Sequence, residues 1–422
     1  MRRRRAWDQI ACGTSLAVAC YSISVQLLPS IVAHSPLSHS ANLMPRRVLF
    51  MISSMRGGGS ERQTLLLLKH LDRARFTPHL YLSQRAGDLL QEIPEDVVIH
   101  AFDDQDPASG FYFPGRILAQ QVAHLRKALS VAQIDVIYDR TFHMSMIAGA
   151  AAAAEGVPRV STIVSPPHRA VPLVESRFVG LKRRRLAKAY RQSKHIVAVS
   201  QQAGKSAESY YGLPASSIEV IVNPVDIQAI QRAAKQYVPD QNDAKRSLIC
   251  VGRMTAEKGH RDLIDALALT QSRWPANVDP LRVGLVGDGP LRSELQAHAS
   301  AVLQLHEVQF LGAVANPAPY IVTADALILP SHFEGMPNVV LESMAIGTPV
   351  IATRSGGTVE LQRDEQTVLW ADPMNSLSLA DAILKFATDR ESMTNYAKAA
   401  TRLIQEHHDV RLTIRRIERL FE

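Results

Sequence analysis

Hydrophobic positions along this chain fall into two alternating rhythms. Short apolar runs bounded by glycine, proline or polar residues read as strands buried on both faces, and many of the segments between them carry apolar residues at helical spacing. In the first half the runs are 47–52, 77–82, 97–101, 134–138, 160–164 and 195–199; in the second they are 247–251, 281–286, 308–311, 326–329 and 349–352. Strand and helix in alternation predict α/β architecture with parallel sheets, and two such sets predict two Rossmann-like, doubly wound domains facing across a cleft. A polar passage separates them. The expected layout is a domain over 45–228, a linker over 229–246, a second domain over 247–409, and a last helix over 410–422. No internal repeat is evident.

Composition narrows the class only slightly. A chain of 422 residues with 46% hydrophobic content holds enough material for two cored domains. The formal charge of +7 points to anionic partners without choosing between nucleotides, nucleic acid and a membrane surface. Cys12, Cys20 and Cys250 have neither disulfide nor zinc-ligand spacing, which predicts a reduced, cytoplasmic setting. No stretch offers about twenty uninterrupted apolar residues, so an integral membrane body is not expected. Residues 1–44 imitate a signal sequence, with Arg2 to Arg5 ahead of an apolar stretch, but Ser15, Ser22, Ser24, Gln26 and Pro29 interrupt it. They read as a non-core N-terminal extension, with a weak signal anchor as the alternative.

Chemistry concentrates at 330–342. The run Pro330-Ser331-His332-Phe333-Glu334-Gly335-Met336-Pro337-Asn338-Val339-Val340-Leu341-Glu342 follows a buried strand, turns at Gly335 and starts a helix in whose first turn Pro337 fits. Free N–H groups and the helix dipole there favour an anion such as a diphosphate, and a carboxylate beside it can hold sugar or ribose hydroxyls. The plainer reading makes Glu334 a turn residue and Glu342 a solvated helix position. A second strand, 247–251, runs into Gly252, Arg253, Glu257, Lys258 and Gly259 ahead of a helix beginning near Asp262. Two cations therefore stand at the carboxyl end of a strand, where parallel sheets bind ligands, and can neutralise a departing diphosphate without a metal. Gly57 to Gly59, Gly287 and Gly289 suit either a phosphate approach or a tight turn with positive backbone angles.

Taken together, these segments resemble glycosyltransferase family 4, the group 1 transferases of GT-B fold. The resemblance rests on Glu334-x7-Glu342, on Gly252-Arg253 with Glu257-Lys258-Gly259, and on Gly57-Gly58-Gly59-Ser60-Glu61-Arg62. Val286-Gly287-Asp288-Gly289-Pro290, Phe310-Leu311-Gly312 and Ser355-Gly356-Gly357-Thr358-Val359-Glu360 follow in family order, so it runs from about residue 45 to the C-terminus. It implies a retaining transfer of a hexosyl unit from a UDP- or GDP-sugar to a hydroxyl of a glycan or lipid-linked acceptor, by front-face displacement. Arg253, Lys258 and Glu334 would be the catalytic set, with Glu334 on the sugar hydroxyls and Glu342 on the ribose. Gly58, Gly287, Gly335, Met336, Pro337, Asn338 and Val339 would complete the donor cradle. The first domain would take the acceptor, the second the donor, and the last helix would pack back on the first. Beyond the nucleotide sugar as co-substrate, no cofactor and no metal is implied.

The chain departs from the family on the acceptor side. Where many relatives carry a histidine after the strand at 160–164, it reads Thr162-Ile163-Val164-Ser165, leaving His143 and His168 as acceptor-side candidates beside the reading of each as an ordinary surface or hydrogen-bonded residue. Asp104-Gln105-Asp106 has the spacing of a metal-binding Asp-x-Asp but sits in a polar loop and reads as a solvated turn. Lys182, Arg183, Arg184, Arg185, Lys188, Arg191 and Lys194 form a basic run that suits peripheral contact with an anionic membrane or a solvated helix face. Without a recognisable binding module or aromatic platform, nucleic acid is not an expected partner. Two rivals remain. A non-catalytic scaffold of transferase fold is weakened by the intact Arg253, Lys258, Glu334 and Glu342; a nicotinamide-dependent oxidoreductase lacks its Gly-x-Gly-x-x-Gly fingerprint.

Overall fold

The computed structural model describes residues 44–104, 115–174, 177–236 and 247–422. The N-terminal extension, Gln105 and Asp106, and most of the expected linker lie outside the described residues.

Both doubly wound sheets are present. The first contains β1 (Arg46–Ile52), β2 (Phe76–Leu82), β3 (Val98–Ala101), β4 (Val136–Arg140), β5 (Arg159–Ile163), β6 (His195–Ala198) and β7 (Glu219–Val220), in the order β3-β2-β1-β4-β5-β6-β7. The second contains β8 (Ser247–Val251), β9 (Arg282–Val286), β10 (Glu307–Gly312), β11 (Ala326–Leu329), β12 (Val350–Thr353) and β13 (Leu369–Ala371), in the order β10-β9-β8-β11-β12-β13. Every pairing is parallel. In each sheet the strand order reverses beside the first strand, between β1 and β4 and between β8 and β11, and a crevice opens at the carboxyl ends there. The residues that leave β8 and β11 are those of the 252–259 and 330–342 segments.

One expected strand, 134–138, is displaced in the structure to Val136–Arg140, because two polar residues at its end are buried within it. Asp139 is fully buried against Arg159 at 3.5 Å and accepts the hydroxyl of Ser161 at 2.8 Å, with Ser145 also donating to it. A charge satisfied in this way can stay in a strand interior.

Each sheet with its helices makes a lobe. Against the first packs the last helix, Val410–Arg419, whose Ile414 and Ile417 join Val48, Phe50, Leu67 and Tyr138 in one core. Just beyond it, the Phe421 ring meets Phe50, Phe76 and Tyr138 edge-on at 5.9, 5.7 and 5.8 Å. The chain thus crosses between lobes twice, and the crossings run side by side: Val225 N–H donates to His408 O at 2.7 Å and Val410 N–H to Val225 O at 3.0 Å. A short helix, Ile227–Ala233, overlaps the start of the stretch read as a linker, and its Gln231 donates to the Ala345 carbonyl at 3.0 Å.

Candidate active site

Two turns of the second lobe are pressed together without intervening side chains. After β8 the backbone bends at Gly252, is anchored by the buried Met254, and ends its loop at Gly259 with φ +67°. A Cβ at Gly259 would overlap the Pro330 carbonyl, and His332 N–H donates to Glu257 O at 2.8 Å. This close approach aims Lys258 at Glu334: Nζ lies 2.7 Å from Oε1, with the side chains 24% and 11% exposed. Ser331 Oγ donates to the same carboxylate oxygen at 2.8 Å. Arg253 stands exposed at the start of the loop, and no hydrogen bond or ion pair to its side chain is found among the described residues.

From Glu334 the chain enters helix Asn338–Ile346. Its first residue is Asn338, so Pro337 is the N-cap rather than part of the first turn as expected; the Pro337 carbonyl already accepts from Val340 and Leu341 at 3.1 and 3.2 Å. Gly335 is required for a reason the sequence did not reveal. Its φ is not positive, but a Cβ there would overlap the Val164 carbonyl of the first lobe. Gly356 and Gly357 pack in turn against the carbonyls of Glu334 and Gly335. Amides at Asn338 and Val339 begin the helix without intrahelical partners and sit at its positive end.

Glu342 lies one turn further along, partly covered, and burial pushes its carboxyl up to about 7, with the Arg62 charge opposing the rise. Arg62 comes from the other lobe. Its Nε donates to Gly57 O at 3.2 Å and its Nη2 to Ala315 O in the second lobe at 3.0 Å. Gly58 caps helix Gly59–His70, and Gly59 approaches the Asn338 side chain. Gly287, at φ +137°, and Gly289 are needed for backbone packing on Gly252 and Met254, so they shape the turn that carries Arg253.

The structure thus gathers Lys258, Glu334, the amides after Gly335, Glu342 and the glycine loop at one junction. His168 is exposed, 3.2 Å from Ser206 Oγ, with its ring edge-on to Tyr210. His143 stands in the first turn of helix Phe142–Glu155, just past the carboxyl end of β4. Asp104 ends a short 3-10 helix, Phe102–Asp104, where it pairs with Arg85 at 2.6 Å. Sequence reasoning did not single out Arg140, Asn223 or Gln63, whose side chains also meet at this junction. Only the position of Asn223 in the run 220–226, just before the passage between lobes, hinted at a role.

Comparison with known proteins agrees with this architecture. The model of glycosyltransferase family 4 matches residues 57–229, and that of the glycosyl transferases group 1 matches residues 231–403. The chain belongs to the group 1 glycosyltransferases, and its two lobes form the GT-B fold. An uncharacterised glycosyltransferase of Methanocaldococcus jannaschii is 27% identical over 219 residues, 49% of this chain and 55% of that protein. The lipopolysaccharide core biosynthesis glycosyltransferase LpsE of Rhizobium meliloti is 32% identical over 151 residues, 36% of this chain and 42% of LpsE. Less than two thirds of either relative is therefore spanned. Among solved structures, Anabaena HepE in complex with UDP and glucose aligns with a TM-score of 0.70 at 23% identity, over 88% of this chain and 98% of HepE.

Proposed function

We propose that this protein transfers a hexosyl unit from a nucleotide diphosphate sugar, a UDP- or GDP-sugar, to a hydroxyl of a glycan or lipid-linked acceptor, with retention at the anomeric carbon. The observation that carries this reading is the meeting of Lys258 and Glu334 at 2.7 Å beside the start of helix Asn338–Ile346. A cation and free helix amides suit the diphosphate, and a carboxylate at the same point suits the sugar hydroxyls.

In this reading Arg253 and Lys258 take up negative charge as the diphosphate leaves, so no metal is called for. Glu334 orients the sugar, and Glu342 receives the ribose hydroxyls. No side chain is assigned as a covalent nucleophile; the acceptor hydroxyl attacks on the face the diphosphate leaves, and its proton passes to a departing phosphate oxygen. His143, beside the carboxyl end of β4, is the better placed acceptor-side candidate. Peripheral membrane contact fits the exposed Arg184, Arg185 and Lys188 of helix Val179–Arg191, next to Phe178 at 65% and Leu181 at 49% exposure. No helix among the described residues is long and apolar enough to cross a membrane.

The test is incubation of the purified full chain with a panel of nucleotide sugars. Release of the nucleoside diphosphate with transfer to an added glycan or lipid-linked acceptor, and an α-linked product from an α-linked donor, are expected. Failure to turn over any donor in the presence of acceptor extracts would refute the reading, and an inverted product would refute retention.

A further inference from the structure

Arg140 ends β4 and is 3% exposed, yet among the described residues no carboxylate pairs with it. Its hydrogen-bond partners are neutral: Nη1 donates to the Tyr138 hydroxyl at 3.2 Å and Nη2 to Asn223 Oδ1 at 3.1 Å. A guanidinium only donates, so the Asn223 amide must turn its oxygen toward Arg140 and its NH2 away. That NH2 donates to the Met336 carbonyl at 3.2 Å and to Asn338 Oδ1 at 2.9 Å. Asn338, its oxygen taken, donates through Nδ2 to the Gly59 carbonyl at 2.9 Å. Gln63 Nε2 supports the same junction, donating to Asn338 Oδ1 at 3.3 Å and to the Pro224 carbonyl at 3.0 Å. One buried cation therefore sets the direction of a chain of bonds that leaves the first lobe at β4, enters the second at the start of helix Asn338–Ile346, and returns to the glycine loop.

Asn223 also sits where the two interlobe crossings touch. Its carbonyl accepts from His408 Nδ1 at 3.0 Å, a partner that fixes the proton on that nitrogen. Two residues later Val225 bridges to Asp409. With its main chain pinned at this pivot, the Asn223 amide reaches Met336 and Asn338 in one relative placement of the lobes. Rotation of the second lobe about the crossing breaks both bonds and leaves buried polar groups unpaired.

We propose that Asn223, oriented by Arg140, is a positioning residue that couples closure of the lobes to the placement of the amides at the start of helix Asn338–Ile346. Its consequence for donor binding rests on the function proposed above; its consequence for lobe closure does not.

Hydrogen–deuterium exchange on the free full-length protein tests it, comparing the wild type with Asn223→Ala, Arg140→Gln and Arg140→Lys. Gln can present either end of its amide and so no longer fixes Asn223, whereas protonated Lys only donates. Exchange in residues 57–63 and 336–342 is expected to quicken about tenfold in Asn223→Ala and Arg140→Gln, the worth of one or two net hydrogen bonds, and to stay closer to wild type in Arg140→Lys. Strands β2 and β9 should exchange as in the wild type, showing that both lobes remain folded. UDP should bind Asn223→Ala about tenfold more weakly. Unaltered exchange in Asn223→Ala, or an increase spread evenly into β2 and β9, would overturn the proposal. Absence of UDP binding to the wild type would count against the donor reading alone, since the exchange comparison needs no ligand.

Discussion

Lys258 Nζ lies 2.7 Å from Glu334 Oε1, and the hydroxyl of Ser331 donates to the same oxygen. A group suited to a phosphate and a group suited to a sugar thus hold each other in place at one point of the junction. Because both are largely buried, removing one leaves the other charge poorly compensated.

Lys258→Ala should therefore lower turnover by about 100-fold or more, the scale of losing one preorganised charge at a developing anion. Steady-state rates with the preferred nucleotide sugar, alongside a circular dichroism check of fold, measure this; a folded variant with wild-type turnover would refute the role given to Lys258.

Glu342 gives the site a pH dependence of definite sign. Its carboxyl is raised from 4.5 to about 7 by burial, so the folded chain retains a proton that the unfolded chain has lost over that interval. The contribution of this group to stability is complete below pH 4.5 and disappears as the pH rises through about 7. Ribose hydroxyls donate more strongly to an ionised carboxylate than to a protonated one, so donor affinity should rise over the same range. Thermal unfolding and UDP titration at a series of pH values should show both trends in the wild type and neither in Glu342→Gln.

Gly335→Ala and Gly58→Ala should differ, although both lie at the junction. A Cβ at Gly335 meets the Val164 carbonyl of the opposite lobe, which cannot move alone, while at Gly58 it meets the end of the Glu61 side chain, which can rotate away. The first substitution is expected to cost about 1–3 kcal/mol and to weaken UDP binding, and the second to cost less. Denaturant melts of the two variants decide; equal losses would contradict the packing account.

Membrane contact has its own check. Cosedimentation with vesicles containing anionic lipid should capture the wild type, and Arg184→Glu with Arg185→Glu should release it, since each basic residue near the surface contributes about 1 kcal/mol. Equal capture by neutral vesicles would show that charge is not the attraction.

Much of the fold was legible because buried parallel strands are nearly all apolar and their spacing survives in the sequence. Strands β7 and β13 were not, being two and three residues long, too short for any pattern to register. The expected strand stopped short of Asp139 and Arg140 because the partners that let these charged residues be buried include Arg159 on β5 and Asn223, which are distant in sequence. The 330–342 segment and the Arg253–Lys258 loop could be found since each begins directly after a strand. What stayed hidden depends on the meeting of the lobes: the demand for glycine at 335, the place of Arg62 near Glu342, and the hydrogen bonds that tie the Asn338 side chain to Asn223 and Gly59. The partners of His168, Ser206 and Tyr210 of helix Gln201–Tyr211, lie some forty residues on and were likewise not legible.

Calorimetric titration of UDP into the wild type and into the Arg253→Ala, Lys258→Ala double variant tests most directly whether the 252–259 and 330–342 segments form the nucleotide-sugar site. Saturable binding by the wild type and a loss of about 100-fold or more in the variant, two charge-assisted contacts being removed, are expected. Equal affinity in a folded double variant would contradict it.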